Sequence, residues 1–231
     1  MSKVLFTFCV FLFLGKLAAA GPITHVYFAY QWMDQYEVND RTDFIIGNLF
    51  PDIRYLGSVS RENTHEQAPT AKKVRECASS FQRGVILHSY VDKMREKFLQ
   101  KEGIYDEIAA LSPDFTLIFL KLLEDEILYD RVPALSTIED LNHLCQEEIR
   151  DGITEADIQK WHRTLQDYFA LPPSSMLCLL SFDGGALRGV PPHLLREWSL
   201  MLPVLAENPR WIQYVEDLTA FFKESFGREA G

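Results

Sequence analysis

Five histidine and aspartate side chains in the first half of this 231-residue chain are of the types that bind metal ions. These residues are His25, Asp52, His65, His88 and Asp92. The last two lie four residues apart in an otherwise apolar run, residues 81–92. Because residues four apart on a helix share one face, we expect the imidazole and the carboxylate to lie side by side. A buried carboxylate needs a partner, and a zinc ion would bind both groups.

The other three residues have contexts that suit the same role. Asp52 follows the segment Gly-Asn-Leu-Phe-Pro, so a turn made rigid by Pro51 holds it at the end of an apolar segment. His65 lies in the polar segment 52–70, and His25 lies near the start of the first predicted helix. Histidine and aspartate together are ligands suited to zinc. The residues alone therefore predict a His/Asp metal site.

The elements that must position these residues are predicted to be helices. Apolar residues recur at helical spacing, and the alternation typical of strands is nearly absent. We therefore predict an all-α fold with a single helical domain over residues 21–231. The predicted helices are 25–37, 71–100 with a break near 79–80, 113–130, 136–152 opened by a capping box, 154–169, and one or two in 194–226 interrupted at Pro203 and Pro209. Residues 42–49 are a short apolar segment that Pro51 stops.

The first twenty residues resemble a signal peptide. Lys3 precedes an apolar run over residues 4–15, and three alanines end at Ala20 in a small-residue cleavage site. We therefore expect a secreted or periplasmic protein that begins at Gly21. Without Lys3 and Lys16 the formal net charge falls from −10 to −12. This acidity argues against a stable complex with nucleic acid, which requires basic surface patches.

The cysteines of the expected mature chain are not arranged as a metal site. Cys77, Cys145 and Cys178 contain no CxxC pair, so zinc bound by thiolates is not expected. Three cysteines allow one disulfide at most, and the sequence leaves its pairing open.

At the five His/Asp residues the sequence resembles the zinc-dependent phospholipase C family. That family is similar to the amino-terminal catalytic domain of glycosylphosphatidylinositol-specific phospholipase D and, more distantly, to P1-type nucleases. The matching pieces are Ile-Thr-His-Val at 23–26, Gly-Asn-Leu-Phe-Pro-Asp at 47–52, Thr-His at 64–65 and Gly-Val-Ile-Leu-His-Ser-Tyr-Val-Asp at 84–92. The resemblance covers roughly residues 22–96 and depends on the order of four individually weak motifs.

The resemblance implies an all-helical fold around two or three zinc ions. The ligands of one zinc would be Asp52, His65, His88 and Asp92. By the same resemblance, Asp92 would bridge to a second zinc shared with His25. The terminal amine of Gly21, released by cleavage, would help to bind that second ion.

The activity that the resemblance implies is hydrolysis of a phospholipid or a related phosphodiester. A hydroxide held between the metal ions would attack phosphorus in line, with Asp92 as the bridging ligand and Asp52 orienting the water. Such a substrate makes peripheral contact with a membrane an expectation. Two alternatives stay open: a noncatalytic zinc-binding helical protein, and a nuclease of the P1 type. Acidity and the lack of a clear stacking site for bases weigh against the nuclease.

The residues after Asp92 depart from the family pattern for a third metal. Glu96, one turn beyond Asp92, and Glu126, on the apolar side of its helix, are the candidates for an additional ligand. His143 and Glu147 form an HxxxE pair, but their helical phase points them away from the apolar face. The third site therefore stays open.

Other polar and aromatic residues receive simpler interpretations. Arg95 lies near His88 in helical phase and is a candidate to bind a nonbridging phosphate oxygen, with a salt bridge to Glu96 or another acid as the equal alternative. His162 and His193 are predicted to lie on the surface. The run 124–126 is expected to be a solvated acidic patch, apart from Glu126. The sequence favours a core position over lipid contact for the aromatic residues Trp198, Trp211, Tyr214, Phe221 and Phe222.

Overall fold

A computed structural model describes residues 19–57, 59–183, 187 and 189–228. The all-α prediction is confirmed for this part of the chain, in which no strand occurs and a single isolated bridge joins Arg150 to Ile153. The predicted signal peptide lies outside the described residues, except for Ala19 and Ala20. Among the described residues, no helix combines the length and the apolar character needed to span a membrane.

The described residues of the first half form five helices and one 3-10 helix. They are α1 (Pro22–Met33), α2 (Arg41–Leu49), the 3-10 helix Phe50–Leu56, α3 (Arg61–Thr64), α4 (Ala71–Glu76) and α5 (Ser80–Glu102). Pro22 occupies the first turn of α1, where its missing N–H costs nothing, so the helix begins earlier than predicted. The predicted break near residue 79 is confirmed, because the Ser79 side chain caps α5 by accepting from the Gln82 N–H.

In the second half, the part of the chain that the structure describes forms seven helices and two short 3-10 turns. They are α6 (Ile104–Leu111), α7 (Thr116–Leu128), the 3-10 turn Tyr129–Arg131, α8 (Ala134–Asp140), the 3-10 turn Gln146–Glu148, α9 (Glu155–Phe169), α10 (Pro173–Asp183), α11 (Pro192–Ala206) and α12 (Pro209–Arg228). The predicted start of α9 is confirmed, because Thr154 and Asp157 form a capping box. The sequence patterns do not predict helices α6 and α10.

Two predictions about the second half are wrong. The helix predicted over 136–152 ends at Asp140, because the Glu148 carboxylate turns back to accept from the Cys145 N–H and closes a separate turn. Pro203 does not interrupt α11. It lies in the last turn and a half, and the buried Trp198 and Leu202 before it anchor the helix in the core.

One hydrophobic core cluster joins residues from Ala20 to Phe226. The predicted core positions of Trp198, Trp211, Tyr214 and Phe222 are confirmed, since each is at most 5% exposed, and Phe221 packs against the same cluster. The three cysteines of the described part, Cys77, Cys145 and Cys178, are free thiols.

Two glycines bring α2 and α5 into direct backbone contact. A Cβ atom added at Gly47 would lie 2.0 Å from the Phe81 carbonyl oxygen, and one at Gly84 would lie 2.3 Å from the Phe44 carbonyl oxygen. Any larger side chain at either position would force the helices apart. This close crossing places the end of α2 beside the face of α5 that carries His88.

Candidate metal centre

The structure brings the five predicted ligands together in the interior. Helix α5 supplies His88 and Asp92, and α1 supplies His25. The 3-10 helix after α2 supplies Asp52, and His65 is the residue directly after α3. All five side chains are buried, with at most 7% exposure. Their ligand atoms form two groups, each within 4.8 Å, namely His25–His88–Asp92 and Asp52–His65–His88.

The carboxylate of Asp92 lies between the histidines. Its Oδ1 atom is 3.4 Å from His25 Nε2. Its Oδ2 atom is 3.7 Å from His88 Nε2 and 3.9 Å from His65 Nε2. The two oxygens of one carboxylate therefore face different histidines, which is the arrangement that a bridging ligand requires.

Hydrogen bonds orient two of the imidazoles through their Nδ1 atoms. His88 Nδ1 lies 2.8 Å from the Asn48 carbonyl oxygen. Because a carbonyl only accepts, this nitrogen carries the proton and Nε2 keeps its lone pair. His65 Nδ1 lies 2.9 Å from Thr64 Oγ1. Metal-binding histidines commonly have such a partner on the nitrogen that does not bind the metal.

The residues fit a metal ion because their remaining ring nitrogens are unsatisfied. The Nε2 atoms of His25, His65 and His88 are buried and form no hydrogen bond. The rings of His25 and His88 are stacked, with centroids 3.8 Å apart. Buried polar atoms without partners are uncommon and costly. Three such atoms around one carboxylate match the donor set of a zinc site.

Burial and neighbouring charges hold His65, His88 and Asp92 in the protonation states that metal binding needs. Burial lowers the pKa of His65 to about 4, although Asp52 opposes it. Burial also lowers the pKa of His88 well below its usual value. Burial alone would raise the pKa of Asp92, but His88, His25 and Arg61 hold it well below its usual range. Neutral imidazoles and an ionised carboxylate at neutral pH are ready ligands.

In the described structure, other protein groups donate hydrogen bonds to the carboxylate of Asp92, and an arginine lies near that of Asp52. Asp92 Oδ2 accepts from Arg61 Nη2 at 2.9 Å, and Asp92 Oδ1 accepts from the Ala20 N–H at 2.9 Å. Arg54 Nη2 lies 3.5 Å from Asp52 Oδ1. A cavity of about 270 Å³ adjoins this cluster, and its lining includes Ala19, Arg61, His65, Asp92, Lys93 and Glu96.

Asp125 of α7 holds the first turn of α1 and so positions His25. Its carboxylate accepts from the Thr24 N–H at 2.8 Å, from the Thr24 hydroxyl at 2.7 Å and from the Tyr168 hydroxyl at 2.7 Å. Gly21 leaves room for this contact, because a Cβ there would lie 2.2 Å from Asp125 Oδ2. The prediction of a solvated patch at 124–126 is therefore wrong for Asp125, which is fully buried.

The structure corrects the phosphate-binding role predicted for Arg95. This side chain is fully buried, and its Nε lies 2.7 Å from Glu124 Oε2, while the Tyr214 hydroxyl donates to the same carboxylate. The alternative interpretation, a salt bridge with a neighbouring acid, is the one observed. Glu124 is also fully buried, so the solvated-patch prediction is wrong for it as well.

The two candidates for a third metal have other partners. Glu126 accepts from the Ser174 N–H at 2.8 Å and from the Ser174 hydroxyl at 2.6 Å, so it caps α10. Glu96 lines the cavity and accepts from Tyr105 and Gln100. Neither belongs to the metal-ligand groups found among the described residues.

Two of the three histidines outside the cluster pair with acidic side chains. His162 is buried, with Nε2 2.8 Å from Glu148 Oε1, so its predicted surface position is wrong. His143, whose helical phase argued against a ligand role, has a half-exposed side chain with Nε2 3.4 Å from Asp43 Oδ1.

Three residues beside the cluster are not predicted by the sequence. Asn48 lies within one of the four motifs, but nothing in the pattern indicates that its carbonyl orients His88. No sequence pattern indicates that Arg61 lies near the cluster. Lys121 is buried, and burial lowers the pKa of its amine while Asp52 and Asp92 oppose that effect.

In comparisons with known proteins, no protein-family model, curated protein or solved structure matches this chain. The resemblance to the zinc-dependent phospholipase C family therefore depends on the four short motifs alone.

Proposed function

We propose that this chain is an exported zinc-dependent phosphoric diester hydrolase of the phospholipase C type, with two zinc ions. The observation that carries the proposal is the carboxylate of Asp92. One of its oxygens faces His25, the other faces His65 and His88, and each of these three imidazoles has a buried Nε2 without a hydrogen bond. A third zinc is not part of the proposal, because Glu96 and Glu126 bind other residues.

Two zinc sites share Asp92 in this proposal. The residues of site 1 are Asp52, His65, His88 and Asp92 through Oδ2. The residues of site 2 are His25, Asp92 through Oδ1, and the terminal amine of Gly21 after cleavage. Zinc bound there would lower the pKa of water toward neutrality and neutralise charge on phosphoryl oxygens.

The chain's own groups prepare this chemistry. The Asn48 carbonyl and the Thr64 hydroxyl hold His88 and His65 with Nε2 toward Asp92. Asp125 anchors the turn that carries His25. Asp52, which groups with His65 and His88, would accept a proton from the attacking water in this proposal. Because these side chains are packed in the core, little reorganisation is needed when substrate binds.

The charge of the protein favours a small or lipid phosphodiester over a nucleic acid. The net charge is −10, so a polyanionic strand would meet repulsion from the protein as a whole. The cavity presents Arg61 and Lys93 beside Glu66 and Glu96, a mixed lining that suits a single phosphodiester group. Contact with a lipid surface follows from this substrate class and is part of the proposal.

The test is a substrate panel with zinc-loaded protein. We expect hydrolysis of bis-para-nitrophenyl phosphate and of phosphatidylcholine vesicles, and its loss on chelation of zinc. Single-stranded DNA is the comparison substrate. Cleavage of DNA alone would favour the P1-type nuclease, and zinc binding without any hydrolysis would favour the noncatalytic alternative.

Removal of residues 1–20 is expected to strengthen zinc binding at site 2 about tenfold, the worth of one hydrogen bond to a charged group. In the uncleaved chain, the Ala20 N–H occupies Asp92 Oδ1, and Ala19 and Ala20 are buried beside it. Zinc affinity measured by chelator competition should therefore be higher for a chain beginning at Gly21 than for one beginning at Ala19. Equal affinities would show that these two alanines do not obstruct the site.

A further inference from the structure

The Arg61 side chain occupies the position from which a substrate would approach the cluster. It lines the cavity, its side chain is 27% exposed, and its Nη2 lies 2.9 Å from Asp92 Oδ2. Its backbone is tied to a predicted ligand, because the His65 N–H donates to the Arg61 carbonyl at 3.0 Å. Helix α3, which begins at Arg61 and is followed directly by His65, therefore positions the guanidinium.

The contact between Arg61 and Asp92 competes with a metal ion at site 1. Asp92 Oδ2 is the oxygen that faces His65 and His88, so it is the oxygen that zinc would use. A divalent ion there would repel the guanidinium and compete for its acceptor. Arg61 would then turn away from Asp92 toward the adjoining cavity of about 270 Å³, which its side chain already lines.

We propose that Arg61 binds the nonbridging oxygens of a phosphate or phosphodiester held beside site 1. The proposal rests on the proposed function, since it requires zinc to displace Arg61 from Asp92. A guanidinium is suited to the role because it is planar and donates two parallel hydrogen bonds to one phosphate. Arg61 thus takes the role that the sequence assigned to Arg95.

The neighbouring cations are less suited to this role. Arg54 donates to the Tyr55 hydroxyl at 2.7 Å, and its guanidinium carbon lies 4.2 Å from the centre of the Tyr55 ring. Lys93 also lines the cavity, but its ammonium donates to the Pro69 carbonyl at 3.3 Å. Neither contact would be broken by zinc at site 1. Arg54 also reaches the predicted ligand Asp52, but only at 3.5 Å. Arg61 differs because its contact to a predicted zinc ligand is short, at 2.9 Å, and because its side chain lines the cavity.

The test measures the binding of inorganic phosphate and dimethyl phosphate to the zinc-loaded protein by calorimetry, so it does not depend on turnover. Arg61→Gln is expected to weaken phosphate binding about ten- to a hundred-fold, the worth of a charge-assisted hydrogen bond. Arg61→Lys, which keeps the charge but loses the planar fork, should weaken it about tenfold. Zinc affinity should be unchanged or higher in both variants, because a competitor for Asp92 is weakened or removed.

Lys93→Gln is the matched control, since it removes one positive charge from the same cavity. Its phosphate affinity should stay within about twofold of the unmodified protein. Unchanged phosphate affinity in Arg61→Gln, or an equal loss in Lys93→Gln, would overturn the role of Arg61 while zinc binding and hydrolysis remained intact. Should Arg61→Gln fail to fold, unchanged phosphate affinity in Arg61→Lys would overturn the role equally. Absence of zinc from the unmodified protein would overturn the proposed function together with this inference.

Discussion

Replacing Asp92 with asparagine is expected to lower zinc affinity at least about a hundred-fold, since even residues that merely orient a ligand are worth about 10–100-fold. Hydrolysis of phosphodiesters should fall to background. The physical reason is that one carboxylate faces His25 through Oδ1 and both His65 and His88 through Oδ2. An amide keeps the shape but lacks the negative charge that both zinc ions would share. Chelator competition measures the zinc affinity, and bis-para-nitrophenyl phosphate reports the activity.

Asp140→Asn is the matched control for that variant. Asp140 is 7% exposed, close to the 5% of Asp92, and it pairs with Arg41 at 3.1 Å outside the cluster. We expect this variant to lose stability but to keep both zinc ions and the activity. If Asp92→Asn bound zinc as tightly as the unmodified protein, the bridging role of Asp92 would be refuted.

Zinc is expected to raise the midpoint of thermal unfolding by about 8–16 °C. Zinc at a thousand times its dissociation constant adds about 4 kcal/mol to the free energy of unfolding, and a protein of this size gains about 2–4 °C per kcal/mol. The structural basis is the set of three buried Nε2 atoms of His25, His65 and His88, which have no hydrogen-bond partner until a cation binds. Calorimetry of metal-free protein, with and without zinc, measures the shift.

Two controls separate site binding from general ion effects. Magnesium prefers oxygen ligands, so it should produce little of the shift. Asp92→Asn should lose most of the shift that zinc produces. An equal zinc-induced shift in Asp92→Asn would mean that the stabilising ion binds elsewhere, and no shift in the unmodified protein would contradict a metal centre at this cluster.

The parts of the site that local sequence determines were predictable. His88 and Asp92 share a helix face because they are four residues apart on α5, and they do lie together. His25, Asp52 and His65 come from separate elements, so no helical periodicity joins them to that pair. Their residue types predicted a His/Asp metal site, but their division between two zinc ions was predicted through the family resemblance alone. The physical cause appears only in the fold, where Gly47 and Gly84 let α2 and α5 touch.

The charged residues near the site could not be predicted because their partners are distant in sequence. Arg95 has the right helical phase to approach His88, but α7 packs Glu124 against it, 29 residues away. Asp125 is buried because it accepts hydrogen bonds from Thr24, 101 residues away. A solvated acidic patch and a buried anchor look alike in sequence, since the difference lies in which donors the fold supplies.

The helix predicted over 136–152 does not form for a related reason. Ser136 and Glu139 match a capping box, but α8 already includes both residues and ends at Asp140. Glu148, which would continue such a helix, instead contacts the buried imidazole of His162 at 2.8 Å. A long-range contact therefore outweighs a local capping pattern here.

Anomalous diffraction at the zinc absorption edge would locate zinc between His25, His65, His88 and Asp92 if the proposed centre exists. In crystals of zinc-loaded protein beginning at Gly21, we expect two peaks separated by roughly 3.5–4 Å. One peak should lie within bonding distance of Asp92 Oδ2 and the other within bonding distance of Asp92 Oδ1. Zinc peaks only at other positions, or none in the protein, would rule out a zinc centre at this cluster.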